Sequence, residues 1–256
     1  MAIMGYVRFV LAALYMVVAL IITLPFLLII YLIGLVSMKA RDALVLFTVR
    51  ASFKTILLIA GVRLHVTGLE NIPKDRAVLY IGNHRSFFDI LTTYTLFPNM
   101  TAFVSKDDMK KVPILSWWML MLHNLFLDRK DLKQGLKVIL KAIDYVNEGY
   151  SVCIFPEGTR NKTDEVDLLP FKEGSFKVAT KTGCPIIPMT LYNTAEVFEK
   201  HFPQLIPHDV MVDFGKPINP DEIEKEDKKH IGAYTREIIV KRYAELRDEF
   251  EKLNFK

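Results

Sequence analysis

Cysteine is scarce in this chain, since its 256 residues include only Cys153 and Cys184. Two cysteines cannot form a disulfide framework, and neither has the CxxC or Cys/His spacing that is typical of a zinc site. We therefore predict that each is a small buried residue and that the chain works in a reducing, cytosol-facing compartment.

Charged side chains are absent from one long stretch near the N-terminus, between Arg8 and Lys39. This run is longer than the roughly 18 to 20 apolar residues that span a bilayer. A cleaved signal peptide has an apolar core of only about 7 to 15 residues, so we expect the run to be retained. The sequence therefore predicts a membrane-embedded helical segment over residues 1–62.

Pro25 lies in the middle of this run, where it removes a helix hydrogen bond and favours a kink or a break. Two arrangements remain open. One is a single tilted span, and the other is a kinked or hairpin element in one leaflet, followed by a second apolar stretch over 43–62. Basic residues after the run outnumber the one before it, so the positive-inside rule places the rest of the chain on the cytoplasmic side of the cell membrane.

A charge excess is absent from the remainder of the chain. Residues 1–62 hold the whole formal net charge of +4, and residues 63–256 are balanced. A basic excess confined to a segment beside apolar sequence indicates contact with anionic lipid headgroups. Nucleic-acid binding would more often place a basic patch on the folded body, so we expect membrane lipids and no nucleic acid as partners.

Residues 63–256 alternate short β-rich runs with helical stretches. Strands are predicted at 63–67, 77–82, 101–104, 124–127, 151–155, 185–192 and 210–214. Helices are predicted at 87–96, 109–122, 132–148, 173–182, 221–234 and 235–253. This alternation predicts an α/β domain over 63–256, with a largely parallel mixed sheet of about seven strands flanked by helices.

Two loops with reactive side chains follow predicted strands. One is NHRSFFD at 83–89, and the other is FPEGTR at 155–160. Because the carboxyl ends of parallel strands meet at one edge of a sheet, we expect both loops to contribute to one site.

His84 and Asp89 are close enough for the carboxylate to bind one ring nitrogen across a predicted helix start. Such a bond fixes the tautomer and leaves the other nitrogen as a base near neutral pH. A purely structural role for Asp89 stays open as the alternative to catalysis, because Ser86 and Asp89 also have the spacing of a capping box.

The FPEGTR loop combines turn residues with charged side chains. Pro156 and Gly158 favour a tight turn, Arg160 offers a planar fork for an oxyanion, and Glu157 is suited to binding hydroxyls. The alternative is an ordinary loop with a surface Arg–Glu pair. Together with the His-Asp pair, this loop indicates proton removal from a hydroxyl beside a clamped anionic group.

At these residues the chain resembles the glycerolipid acyltransferase superfamily, specifically the 1-acyl-glycerol-3-phosphate acyltransferases. NHRSFFD matches the family's first block and FPEGTR matches its third letter for letter. VSKDDMKKVPILSWWMLMLHNLFLDR is similar to the second block, and LPFKEGSFKVATKTGCPIIPMTLYN looks like the PFKxG helix and the fourth block. The resemblance runs from about residue 61 to 193. It departs from the family at His123-Asn124, where many members have a glycine before the strand that ends in an arginine.

The resemblance implies that His84 is the general base and Asp89 its orienting partner. The acceptor hydroxyl would attack the thioester of acyl-CoA or acyl-carrier protein, so no metal, cofactor or acyl-enzyme is expected. Arg160 would hold the phosphate of lysophosphatidate, while Glu157 and Gly158 would shape the glycerol site. The residues expected to bind substrate are Glu157, Gly158, Thr159, Arg160, Lys106 and Arg129.

Two alternatives to lysophosphatidate acylation stay open at this point. Blocks shared across the superfamily are compatible with glycerol 3-phosphate or another lysolipid as the acceptor. A membrane-bound lipid-binding protein without activity is the other possibility. Trp117, Trp118, Met119 and Met121 are candidates for an acyl groove, although their helical spacing is also typical of an ordinary core.

Overall fold

The computed structural model describes residues 2–163 and 166–254 of the chain. Its α-helices are α1 (Ala2–Ile22), α2 (Leu24–Val36), α3 (Met38–Ala60), α4 (Phe88–Leu96), α5 (Leu115–Met121), α6 (Leu132–Asn147), α7 (Lys177–Thr182), α8 (Lys225–Lys229) and α9 (Ile231–Asn254). Its strands are β1 (Arg63–Thr67), β2 (Leu79–Gly82), β3 (Thr101–Lys106), β4 (Leu125–Leu127), β5 (Ser151–Ile154), β6 (Ile186–Tyr192) and β7 (Asp209–Phe214).

The described residues form a seven-stranded sheet in the order β1-β7-β6-β2-β5-β3-β4. Neighbouring strands run parallel except for β6 and β7, which pair antiparallel. Tyr80 of β2 lies opposite Cys153 of β5 and Ile187 of β6, which fixes the register at the centre of the sheet. The predicted α/β fold with a largely parallel mixed sheet is confirmed.

An apolar core covers each face of the sheet. Successive side chains of a strand point to opposite faces, so Leu79 and Ile81 of β2 pack under α6, α7 and α9, while Tyr80 packs under the N-terminal helices and α4. Cys153 and Cys184 are buried and free, which confirms their predicted place.

The apolar N-terminal run is divided into two helices at Thr23. Pro25 lies in the first turn of α2, where backbone N–H groups have no intrahelical acceptor and a proline costs little. Ser37 then separates α2 from α3, and its hydroxyl accepts a hydrogen bond from Ala40 N at 3.3 Å. The predicted break near Pro25 is confirmed, and α2 packs on α3. The choice between a single tilted span and a hairpin in one leaflet stays a prediction.

Two helices are long and apolar enough to cross a membrane, Ile3–Ile22 and Met38–Ala60. Only 11% of the apolar part of the first and 28% of the second are buried. Monomeric soluble proteins rarely expose so large an apolar surface, so the two helices fit a membrane environment. Their depth in the bilayer and their orientation stay predictions.

The predicted boundary at residue 62 falls between the end of α3 and the start of β1. Buried residues of the helices, such as Val45 and Leu57, nevertheless belong to the same apolar core as Tyr80 and Val212 of the sheet. The division into two domains therefore stays a prediction, and the helices and the sheet share one core.

One predicted helix, at 109–122, is wrong in its first half. The structure has a 3₁₀ turn at Asp107–Lys111 and begins α5 only at Leu115. The cause is Pro113, because a residue that precedes proline is disfavoured in the helical conformation. Val112 accordingly has extended backbone angles.

The predicted helices at 173–182 and 221–234 are also shorter in the structure. The first begins with a 3₁₀ turn, Glu173–Phe176. In the second, the helical part is Lys225–Lys229, and α9 starts at Ile231, so the predicted boundary at residue 235 is wrong. Residues 221–230 contain one apolar side chain, Ile223, and therefore have no apolar face to stabilise a longer helix.

His123, the first of the two positions where the chain departs from the family pattern, has a left-handed backbone with φ of 59°. Glycine adopts this conformation without a steric penalty. Here the imidazole Nε2 accepts a hydrogen bond from Arg41 Nη2 at 2.7 Å. Arg41 also donates to Asp42 Oδ1 from Nε and Nη2, at 2.9 and 2.6 Å. The histidine therefore fastens α3 to the residues that precede β4.

We expect Asp42→Ala to destabilise this junction. The change leaves the Arg41 guanidinium, whose side chain is 14% exposed, without its carboxylate. Loss of one partner of a buried ion pair costs about 3 kcal/mol. The unfolding midpoint of purified protein in detergent should therefore fall by roughly 6 °C or more.

Asp248→Ala is the matched control, because Asp248 pairs with Arg247 on the exposed surface of α9. Exposed pairs contribute little, so this variant should unfold within about 1 °C of the wild type. Equal shifts for the two variants would contradict a special role of the Asp42 junction.

Candidate active site

The carboxyl ends of three strands lie side by side at the centre of the sheet, because β2 pairs in parallel with β5 on one side and β6 on the other. The loops that follow these strands begin at residues 83, 155 and 193. Ligands of open α/β sheets bind at this edge, where the strand order reverses. The two predicted loops are in contact there.

Asn83 fixes the point where the chain leaves β2. Its Nδ2 donates to the Leu191 carbonyl at 2.8 Å, and its Oδ1 accepts from Leu191 N at 2.8 Å. The side chain thus continues the β2–β6 pairing for one step, while the backbone is free to turn. His84 consequently projects from a rigid strand end.

The His84 ring is held by Asp89 and Phe155. Nδ1 lies 2.8 Å from Asp89 Oδ2, and the ring stacks on Phe155 with centroids 4.4 Å apart. An ionised carboxylate only accepts hydrogen bonds, so Nδ1 carries the proton and Nε2 of the neutral ring is the basic nitrogen.

The Asp89 carboxylate is fully buried and accepts hydrogen bonds from three further donors. Oδ2 accepts from Arg85 N at 2.7 Å and Ser86 N at 2.8 Å, and Oδ1 accepts from Thr194 Oγ1 at 2.5 Å. A buried charge is tolerated only with such partners. Asp89 therefore makes one of the two bonds of the predicted capping box, from Ser86 N, in addition to the pairing with His84.

Glu157 forms a hydrogen bond with the backbone of the His84 loop. Its Oε1 accepts from His84 N at 2.8 Å, and its Oε2 accepts from Leu169 N at 3.0 Å. Burial raises the pKa of Glu157, and the two backbone N–H groups oppose this shift. Because Asn161 N also donates to the His84 carbonyl at 2.7 Å, the FPEGTR loop holds His84 from both sides.

Gly158 is required by the shape of the FPEGTR loop. Its φ is +71°, and an added Cβ would lie 2.6 Å from Lys172 Nζ. Neither Gly158 nor Glu157 lines the cavity that holds His84. Their expected contact with the glycerol of a substrate stays a prediction, and the contacts above give both residues a part in holding the loops.

A cavity of about 550 Å³ opens beside His84. Its lining includes the predicted residues Lys106, Arg129, Thr159 and Arg160. Partial loss of solvent and the nearby charge of Arg160 lower the pKa of Arg129. Lys106 pairs with Asp108 and is largely exposed. Several cations that line one cavity favour a bound anion.

The cavity continues between α1, α3, α4 and α5 as an apolar space. Its apolar lining includes Leu20, Phe53, Leu91, Leu115, Trp118 and Met119. Of the four residues proposed for an acyl groove, Trp118 and Met119 line the cavity, whereas Trp117 is half exposed and Met121 packs at the margin of the core.

Glu199 joins the two loops and was not predicted as a site residue. Its Oε1 accepts from Phe87 N at 2.7 Å and from Arg160 Nη1 at 3.0 Å, while Oε2 accepts from Ser86 Oγ at 2.5 Å. Thr194 was missed as well. Both residues follow β6, so the rule that selected the other two loops would also have selected this one.

The part of the chain that the structure describes contains one group of possible metal ligands, Glu196, His201 and His208. Their ligand atoms lie within 4.8 Å of one another, and His201 Nε2 is 3.4 Å from Glu196 Oε2. None of the three lines the cavity beside His84, so the group is separate from the His-Asp pair.

Comparison with known proteins gives a consistent result. A family model described as Acyltransferase matches residues 63–192. The 1-acyl-sn-glycerol-3-phosphate acyltransferase of Borreliella burgdorferi is 33% identical over 193 residues, which are 75% of this chain and 76% of that protein. The chloroplastic BAT2 enzyme of the same name from Brassica napus is 37% identical over 155 residues, 60% of this chain and 44% of that protein.

A solved structure is similar over almost the whole chain. It is the crystal structure of the 1-acyl-sn-glycerophosphate (LPA) acyltransferase PlsC from Thermotoga maritima, with a TM-score of 0.82 and 25% identity. The similarity covers 96% of this chain and 98% of that one, so it includes the N-terminal helices.

We expect Thr194→Val to destabilise the loop after β6. The valine removes one donor from the buried Asp89 carboxylate while keeping the shape of the side chain. Loss of a hydrogen bond to a buried charge costs about 1.5 to 3 kcal/mol, so the unfolding midpoint should fall by roughly 3 °C or more.

Thr194→Ser is the matched control, because it keeps the hydroxyl and loses the methyl group. It should unfold close to the wild type. A serine variant as unstable as the valine variant would assign the effect to packing and contradict the hydrogen-bond explanation.

Proposed function

The chain belongs to the acyltransferase family, and we propose that it transfers an acyl chain to the sn-2 hydroxyl of 1-acylglycerol 3-phosphate. The donor is a thioester, acyl-CoA or acyl-carrier protein, and the product is phosphatidate for phospholipid synthesis. The observation that carries the proposal is the His84–Asp89 pair, at 2.8 Å, in a cavity that also contains Arg129 and Arg160. The names of the relatives support lysophosphatidate as the acceptor.

In the proposed reaction, His84 Nε2 takes the proton of the acceptor hydroxyl as the hydroxyl oxygen attacks the thioester carbonyl. Asp89 holds the ring through Nδ1 and stabilises the imidazolium. The C–S bond then breaks, and the imidazolium returns the proton to the thiolate, which leaves as a free thiol. This sequence of steps needs no acyl-enzyme, metal or cofactor.

The cations around the cavity suit the phosphate of the acceptor. Partial burial and the nearby charge of Arg160 lower the pKa of Arg129, and a phosphate bound to Arg160 would offset the repulsion between the two cations. Guanidinium groups bind phosphate through paired hydrogen bonds. In this proposal Arg160 is the principal phosphate ligand, with Lys106, Arg129 and Thr159 around it.

The apolar part of the cavity suits an acyl chain. It lies between α1 and α3, the two helices that fit a membrane, and reaches His84 in the sheet domain. A lysolipid already resides in the bilayer, whereas acyl thioesters are made in the cytosol. We therefore place the protein in the cell membrane with the α/β domain at the cytoplasmic face.

His84→Ala tests the base. Wild type reconstituted in vesicles with lysophosphatidate and long-chain acyl-CoA should form phosphatidate, measured by mass spectrometry. The variant should be slower by about 10² to 10⁴, the usual contribution of a general base. His65→Ala is the control, because that histidine is exposed on the edge strand β1 and pairs with Asp209.

Residual activity of His84→Ala within a few fold of wild type would contradict its role as the base. If wild type forms no phosphatidate with acyl-CoA or with acyl-carrier protein, the proposed acceptor is wrong. Turnover of glycerol 3-phosphate or another lysolipid under the same conditions would then identify the alternative.

Arg160→Ala should raise the KM for lysophosphatidate about tenfold or more, because a hydrogen bond to a charged group contributes about 1.5 to 3 kcal/mol. The KM for the thioester should change little. Arg76→Ala is the control, since Arg76 is exposed in the loop that precedes β2, at the opposite edge of the sheet. A raised thioester KM with an unchanged acceptor KM would reverse the assignment.

A further inference from the structure

Three donors from two loops converge on the carboxylate of Glu199. Arg160 supplies a guanidinium N–H at 3.0 Å, Phe87 supplies a backbone N–H at 2.7 Å, and Ser86 supplies a hydroxyl at 2.5 Å. Phe87 and Ser86 directly precede α4, so the dipole of that helix adds positive potential at the same point. The three donors therefore form a site for one anionic group.

The position of this site relates it to the reaction. Ser86 and Phe87 follow His84 in the same loop, and Arg160 and Phe87 line the cavity that contains the His84 ring. Glu199 itself lines an adjoining cavity of about 570 Å³, and Arg160 lines both, so an anion bound to the three donors would lie where the two cavities meet.

We propose that Ser86, Phe87 N and Arg160 bind the phosphate group of the acceptor, and that the Glu199 carboxylate holds these donors until the phosphate displaces it. The proposal rests on the function proposed above. Glu199 belongs to the chain itself and acts as a stand-in for the phosphate. In the absence of acceptor, Glu199 keeps the Arg160 side chain at the site. The acceptor must bind the three donors more tightly than Glu199 does in order to displace it.

The exchange is physically reasonable because the two anions differ. A phosphate monoester carries a charge of about −1.5 to −2 at pH 7 and three strong acceptor oxygens, whereas a carboxylate carries a single charge and two oxygens. The Arg160 side chain is 49% exposed and that of Glu199 is 22% exposed. Such partly solvated ion pairs contribute little and break readily.

Glu199 also lies on an element that permits the exchange. It begins a short 3₁₀ turn, Glu199–His201, between β6 and β7. A change of side-chain rotamer is therefore sufficient to release the three donors, and the strands need not move.

Binding of inorganic phosphate tests the proposal without any enzyme activity. The unfolding midpoint of purified protein in detergent is measured against phosphate concentration at constant ionic strength, which gives an apparent Kd. Glu199→Gln removes the competing charge and should bind phosphate about 3 to 10 times more tightly than wild type. The double variant with Arg160→Ala should lose this gain.

Glu196→Gln is the matched control. It removes an acid from the same segment, and its carboxylate bonds Lys200 at 2.7 Å and lies 3.4 Å from His201 Nε2. It should bind phosphate as wild type does. A Glu199→Gln variant that binds phosphate no more tightly than wild type, or a Glu196→Gln variant that gains equally, would overturn the proposal.

Kinetics with lysophosphatidate provide the second measurement. Glu199→Gln should lower the acceptor KM by a similar factor, change kcat by no more than a few fold, and make inorganic phosphate a stronger competitive inhibitor. A raised KM would mean that Glu199 orients Arg160 for productive binding, and this would overturn the stand-in role.

The two proposals fail in different ways. If wild type forms no phosphatidate but Glu199→Gln still binds phosphate more tightly, the proposed function is wrong and the anion site stands. If phosphatidate forms and Glu199→Gln weakens phosphate binding, the function stands and the anion site is wrong.

Discussion

The buried Asp89 carboxylate is the constraint on which the candidate site depends. A charge without solvent needs donors, and the four donors come from the His84 ring, the backbone of residues 85 and 86, and Thr194. Meeting this need fixes the histidine tautomer, begins α4, and ties the loop after β6 to the loop after β2. One electrostatic requirement therefore organises three separate parts of the chain.

A second carboxylate, Glu157, completes this arrangement through the backbone. Asp89 controls the ring of His84, whereas Glu157 and Asn161 hold its N–H and carbonyl. This division is possible because β5 lies next to β2, so that the FPEGTR loop starts beside the His84 loop. With the start of the loop bonded to the His84 backbone, Arg160 lies at the outer end of the loop and donates a hydrogen bond to Glu199.

The N-terminal helices contribute more than attachment to a bilayer. Buried residues of α1 and α3 share a core with the sheet, and the same helices form the apolar wall of the cavity beside His84. The Arg41, Asp42 and His123 cluster joins α3 to the chain before β4. The site and the apolar helices are consequently parts of one packed unit, which suits chemistry on a lipid.

The sequence by itself determined the α/β alternation, the break at Pro25, the buried cysteines and the pairing of His84 with Asp89, because these depend on local patterns and short spacings. The starts of α5 and α9 were predicted incorrectly. Pro113 prevents an earlier start of α5, and the charged run before α9 has no apolar face that would extend a helix. Only the tertiary structure revealed what Asn83, Thr194 and Glu199 contact, although their place after a strand was a signal in the sequence. Each has a partner more than 100 residues away, and such contacts depend on strand order, which no local pattern encodes.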